Sequence, residues 1–201
     1  MFSTSSGSRQ ASGTSFDSPD PRKVIIFADY TVYKSKGVVS VKAIRPTWGK
    51  TGTGSGITVT RQGTLLLEFA NARGERDYDW EKKENFALSV TECADILDSV
   101  EAGKDKSFFH DPNKMSSNEG QVTKTLRIAP GRDSGYFFSL SVKNQGQQSQ
   151  FNVPLSGAEV RVVRSIIEFV IPHLLGFNEL MLGPPDLQDG SLPRSLDEPP
   201  F

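Results

Sequence analysis

Ser89-Val90-Thr91-Glu92 is matched further along the chain by Ser156-Gly157-Ala158-Glu159. Each stretch reads as a capping box, in which the Ser hydroxyl and the Glu carboxylate satisfy two orphan backbone N–H groups and so mark a helix start. Behind the first box, Val90, Cys93, Ala94 and Leu97 recur at helical spacing. Behind the second, Val160, Val163, Ile167, Val170, Ile171 and Leu174 form the longest apolar stripe in the chain. Pro172 should kink or shorten that helix, and Gly176 should end it.

Outward from each box the chain reads as strands. The Val- and Tyr-rich run from about Tyr30 to Ile44 predicts one strand, with Gly37 marking a bulge or a close backbone approach. Pro46 and the glycines from Gly49 to Gly56 predict a loop. Ile57–Arg61 and Thr64–Phe69 read as partners about Gln62-Gly63, and a strand containing Tyr78 and Trp80 completes four. Before the second box, Ser107–His110, Val122–Ile128, Tyr136–Val142 and about Ser149–Pro154 read as four more. The expected fold class is therefore α+β: two four-stranded antiparallel sheets over a shared core, each followed by a helix. Residues 1–23 are rich in Ser and Gly and predict an unstructured segment. A transit peptide would share that composition, although Asp17 and Asp20 intrude. Residues 24–180 are expected to form a single domain, and 181–201 a flexible, acidic, Pro-rich tail.

Between strands and first box lies Gly74-Glu75-Arg76-Asp77-Tyr78-Asp79-Trp80-Glu81-Lys82-Lys83. As a strand it would put Arg76, Tyr78, Trp80 and Lys82 on one face. Rings flanked by cations suit a single-stranded nucleic acid, since any base can stack and each cation neutralises a phosphate. An edge strand with rings on the core and solvated charges fits the same residues.

The formal net charge of −1 looks wrong for such a ligand, but it averages unlike parts. From Tyr30 to Leu67 there is no Asp or Glu, while Lys34, Lys36, Lys42, Arg45, Lys50 and Arg61 alternate with Tyr30, Tyr33 and Trp48. From Gly176 onward the balance reverses, with five acids against Arg194. Lys34 and Lys36, two apart on a strand, would face two successive phosphates, and Lys124 and Lys143 on later strands join the candidate nucleic-acid-binding set. A lysine-studded edge that blocks aggregation is the competing reading of the pair. Trp48, beside Arg45 and Lys50, either packs down or waits for a base.

Other chemistries fit poorly. A single Cys, Cys93, rules out an intrachain disulfide and a multi-thiolate metal site, and two His are too few for a histidine-rich zinc site. No apolar run approaches a membrane span. Asp77 with Asp79, or His110 with Asp111, could be read as a metal or acid pair in a nuclease, yet no converging nucleophile, base and orienter are visible. No enzymatic activity, cofactor, metal or small-molecule substrate is expected.

Several of these stretches together resemble the plant Whirly family: residues 74–83, Phe86-Ala87-Leu88-Ser89, Phe108-Phe109-His110-Asp111-Pro112, Gly135-Tyr136-Phe137, Leu140-Ser141-Val142 and Ile171-Pro172-His173-Leu174-Leu175-Gly176. The resemblance covers about residues 30–178. It implies two roughly perpendicular sheets, a homotetramer, and single-stranded DNA bound with little sequence preference along sheet edges between copies. It also implies a plastid or mitochondrial location, a role in organelle genome stability, and in some members a nuclear pool that regulates transcription. An RNA-binding chaperone of the same shape is the alternative. The family's first-strand signature Lys-Gly-Lys-Ala-Ala-Leu is replaced by Lys34-Ser35-Lys36-Gly37-Val38-Val39, which keeps both lysines but moves the glycine. The acidic tail is similar to a family tail that lies over the binding surface, and here it ends in Phe201.

Overall fold

Both helices begin where the capping boxes predict. In the computed structural model, which describes residues 28–112, 114 and 120–183, the Glu92 carboxylate accepts from the Ser89 N–H at 2.9 Å and that of Glu159 from the Ser156 N–H at 2.7 Å. Such caps contribute about 0.5–2 kcal/mol each. Helix α1 spans Val90–Glu101 and α2 spans Gly157–Leu174. A short α3, Phe177–Leu182, follows after Gly176 adopts a left-handed φ of 84°.

The chain carries eleven strands among the described residues: β1 Asp29–Lys34, β2 Gly37–Ile44, β3 Thr47–Lys50, β4 Ile57–Arg61, β5 Thr64–Gly74, β6 Asp77–Tyr78, β7 Glu84–Leu88, β8 Lys106–His110, β9 Val122–Pro130, β10 Tyr136–Asn144 and β11 Gln147–Leu155. All pairs are antiparallel. The first sheet runs β1-β2-β5, and the far edge of β5 pairs with β7 at one end and β6 at the other. The second runs β11-β10-β9-β8, and β3-β4 forms a separate two-stranded ribbon. The second sheet follows the sequence reading closely, because β10 and the core-facing halves of β9 and β11 alternate between buried and more exposed positions.

The inner faces meet over one core that includes Phe69, Phe86, Leu126, Phe138, Leu140 and Ile167, all essentially inaccessible to solvent. Each such side chain stabilises the fold by about 1.5–3 kcal/mol. The sheets are also joined at their edges, where the Asn71 amide donates to the Gln150 carbonyl at 3.1 Å.

The first half differs from the sequence reading in four places. Residues 30–44 are not one strand but a hairpin, β1 and β2, turning at Ser35-Lys36. Gly37 is not a bulge; it sits where an added Cβ would lie 3.1 Å from the Ala70 carbonyl oxygen, so the close approach is real. β4 pairs with β3 rather than β5, and Thr47–Lys50, expected as loop, is a strand. The fourth strand is β7, while Trp80–Lys82 forms a single 3-10 turn.

The helix ends have their own reasons. α2 continues past Pro172 to Leu174, so the proline does not stop it. The Leu174 carbonyl then accepts from the Gly63 N–H at 2.8 Å, which satisfies one orphan carbonyl of the helix end. Regular structure extends to Leu182, two residues beyond the predicted limit, and the rest of the tail, like residues 1–27, lies outside the described residues.

Candidate nucleic-acid interface

Of the rings predicted to bind, Tyr33 is exposed on the outer face of the first sheet with Tyr78 against it. Register places Tyr33, Val38 and Ala70 in one cross-strand row. Val38 and Ala70 are fully buried yet stand apart from the main core, so something covers that face. The segment after β5 does so. Tyr78, on β6, brings its ring to 5.3 Å from that of Tyr33 and donates from its hydroxyl to the Lys34 carbonyl at 3.0 Å. The Asp79 N–H donates to the Asn71 carbonyl at 2.9 Å, and the Asp79 carboxylate accepts from the Lys82 N–H at 3.3 Å to start the 3-10 turn. Trp80 is thereby lifted to the rim, 38% exposed, and Tyr33 is 59% exposed.

This geometry corrects the alternation read from residues 74–83. Arg76 sits in a tight turn with φ of 58°, and Trp80 is helical, so Arg76, Tyr78, Trp80 and Lys82 do not line one strand face. They nevertheless lie on the one segment that crosses the outer face. Arg76 and Lys36 are exposed turn residues without an ion-pair partner among the described residues. Lys82 is exposed and only loosely held, 3.6 Å from Asp79.

The other predicted cations, Lys143 excepted, are engaged. The Lys34 ammonium lies 2.8 and 2.9 Å from the two carboxylate oxygens of Glu159, and Lys36 belongs to the turn, so the two lysines do not share a strand face. Lys42 and Lys83 both bind Glu68. Burial alone would raise the Glu68 pKa, but the two lysine hydrogen bonds outweigh it and hold the carboxyl below its ordinary range. Lys124 is held by Glu84 and by the Asn85 carbonyl, at 2.8 and 2.9 Å. Lys143 remains exposed near the end of β10.

Two aromatic candidates leave the set. Tyr30 is half-buried against the core, where burial first and the Glu159 charge second push its phenol pKa up. Trp48 packs down: its ring lies 2.7 Å from where a Cβ on Gly176 would stand. The acidic pairs are likewise occupied. Asp77 faces Arg73 at 3.4 Å, and the His110 imidazole stacks on Phe86 at 4.1 Å while its Nε2 meets Glu92 at 2.8 Å. Among the described residues no group of three or more His, Cys, Asp or Glu side chains could hold a metal ion, and no helix is long and apolar enough to cross a membrane.

Exposed rings that the sequence reading did not select also emerge, Phe109 and Phe137 on the second sheet and Phe169 on α2. Their signal was available: in Phe108-Phe109 and Tyr136-Phe137-Phe138 strand alternation must turn one ring outward.

A protein-family model described as "Whirly transcription factor" matches residues 32–166. The mitochondrial single-stranded DNA-binding protein WHY2 of Arabidopsis thaliana is 42% identical over 158 residues, 77% of this chain and 66% of the relative. The chloroplastic WHY1 of Solanum tuberosum is 40% identical over 156 residues, 76% of this chain and 56% of the relative. The chain thus matches less than two thirds of the length of either. Among solved structures, WHY1 from Arabidopsis thaliana superposes with a TM-score of 0.74 at 35% identity, covering 80% of this chain and 98% of the other. The plant transcriptional regulator PBF-2 gives 0.73 at 37% identity, with 79% and 88% covered.

Proposed function

The chain belongs to the Whirly family, and on that premise we propose that it is a non-enzymatic, single-stranded DNA-binding protein of a plant plastid or mitochondrion. It binds with little sequence preference, protects the organelle genome and takes part in transcription regulation. The observation that carries the reading is the outer face of the first sheet, where the Tyr33 and Tyr78 rings meet, Trp80 is exposed on the same segment as Tyr78, and the flanking turns carry Lys36 and Arg76, exposed and without an ion-pair partner among the described residues. Relatives named as single-stranded DNA-binding proteins of mitochondria and chloroplasts support both ligand and location.

Assembly belongs to the same proposal. The apolar stripe of α2 is consumed by the chain's own core. The surplus lies at Phe169, Phe177, Leu180, Met181 and Leu182, all exposed. Exposed apolar side chains concentrated on α3 and near the end of α2 are normally covered by a partner, and a homotetramer would cover them. Light scattering at micromolar concentration should give four copies, and a stable monomer would refute it.

Binding isotherms on single-stranded DNA, duplex DNA and RNA at several salt concentrations test the ligand. Single-stranded DNA should win, with log K falling linearly in log salt. A preference for duplex, or indifference to salt, would overturn the reading, and a preference for RNA would favour the chaperone alternative. Labelled DNA should stay intact in magnesium.

A further inference from the structure

We propose that the cleft between the β9–β10 turn and the start of α2 is a nucleotide subsite, with a base on Phe137 and the adjoining phosphate on Arg132 and Lys34. The inference rests on the single-stranded DNA reading and extends it to a second surface. The cleft has a volume of about 500 Å³ and is walled by Lys34, Arg132, Phe137, Pro154 and Ser156, within the size range of small-ligand pockets.

Its aromatic wall is built to stay open. Phe137 points to the outer face of the second sheet, in register with Pro154 and Ala129. Its ring is seated over Gly131, where an added Cβ would lie 3.2 Å from Cε2, and it remains 39% exposed. One edge of the ring is thus supported by the chain and the rest is available to a base. The outward positions of β8 to β11 carry Phe109, Arg127 and Lys143 among Ser, Thr, Asn and Gln, with no Asp or Glu, and the carboxylate that does reach this face, Asp105 just before β8, is held by Arg127 at 3.1 Å. A polyanion on this face meets no fixed negative charge on the strands.

The cationic wall is held rigidly. The turn closes by hydrogen bonds from the Gly131 N–H to the Gly135 carbonyl and from the Gly135 N–H to the Arg132 carbonyl, both 2.8 Å. Asp133 and Ser134 are both left-handed, with φ of 52° and 60°. Two consecutive non-glycine residues in that region are strained and persist only where the surroundings dictate them. Here the turn is braced against α2, since a Cβ on Gly157 would lie 3.2 Å from the Asp133 carbonyl oxygen. Arg132 is exposed and has no ion-pair partner among the described residues. Lys34 reaches the same cleft from β1, where Glu159 holds its ammonium at 2.8 Å and a phosphate must compete for it; its carbonyl, which accepts from Tyr78, links the cleft to the first face.

The test compares Phe137→Ala, Arg132→Ala and Trp80→Ala for binding to a single-stranded oligonucleotide over a range of salt. Phe137→Ala should weaken binding roughly 5- to 150-fold without changing the salt slope, because stacking releases no counterions. Arg132→Ala should flatten the slope by about 0.7. Wild-type affinity in both variants, with Trp80→Ala weakened, would overturn the subsite and leave the general function standing. Failure of the wild-type chain to bind single-stranded DNA would overturn both. A readout independent of variant folding is photocrosslinking of the wild-type chain to an iodouracil-substituted oligonucleotide. Label should appear in the tryptic peptide 133–143, and its absence there would overturn the subsite.

Discussion

The ammonium of Lys34 and the carboxylate of Glu159 meet at 2.8 Å although 125 residues separate them. Glu159 also closes the capping box of α2, so one carboxylate fixes a helix start and occupies a cation at the proposed interface. Any phosphate that approaches Lys34 must compete with it. Glu159→Gln keeps the cap, since Gln serves at that position, and removes the competing charge. Binding to single-stranded DNA should tighten, with the salt slope steeper by up to about 0.7. An unchanged slope would show that Lys34 contacts no phosphate.

Tyr78 and Trp80 should separate under mutation. Tyr78→Phe deletes the hydrogen bond to the Lys34 carbonyl and should lower stability by about 1 kcal/mol while leaving a ring for stacking. Trp80→Ala, at an exposed rim, should leave stability nearly unchanged and cost roughly 1–3 kcal/mol of binding at constant salt slope. Denaturant midpoints paired with binding isotherms read both, and a converse result would assign Trp80 to packing.

Trp48 is expected to behave as a packing residue. Trp48→Ala should destabilise the fold by less than the roughly 3–5 kcal/mol of a fully buried Trp, because the ring is half-buried on Gly176. Its affinity for DNA per folded molecule should match wild type. A large affinity loss at unchanged melting temperature would return Trp48 to the binding surface.

Glu68 makes stability depend on pH. Its folded pKa lies below the ordinary value of 4.5 despite burial, owing to Lys42 and Lys83. A depressed carboxyl stabilises the fold above its unfolded pKa, and that contribution disappears as pH falls through the folded value. Urea midpoints should therefore drop below about pH 4.5, and Glu68→Gln should show a shallower drop from a lower starting point at neutral pH. Parallel pH profiles for the two chains would contradict this.

What the sequence determined was whatever a few neighbouring residues can decide. Ser89 with Glu92 and Ser156 with Glu159 start helices through bonds that span three residues. Strands β8 to β11 alternate where one face meets the core, along most of β10 and in the second halves of β9 and β11. The same alternation made an outward Phe109 and Phe137 legible in principle. Tertiary structure decided the rest, because the deciding contacts were equally compatible with local rules. Ile57–Arg61 could pair with the strand before or after it, and it joined β3 while β5 went between β2 and β7. Residues 74–83 had the pattern of a strand, but the buried row of Val38 and Ala70 drew Tyr78 across the sheet and left Trp80 in a 3-10 turn. Whether Lys34 was free, or Trp48 exposed, depended on Glu159 and Gly176, more than a hundred residues away. No periodicity encodes such partners, since closing a long loop depends on the packing of the whole core around it.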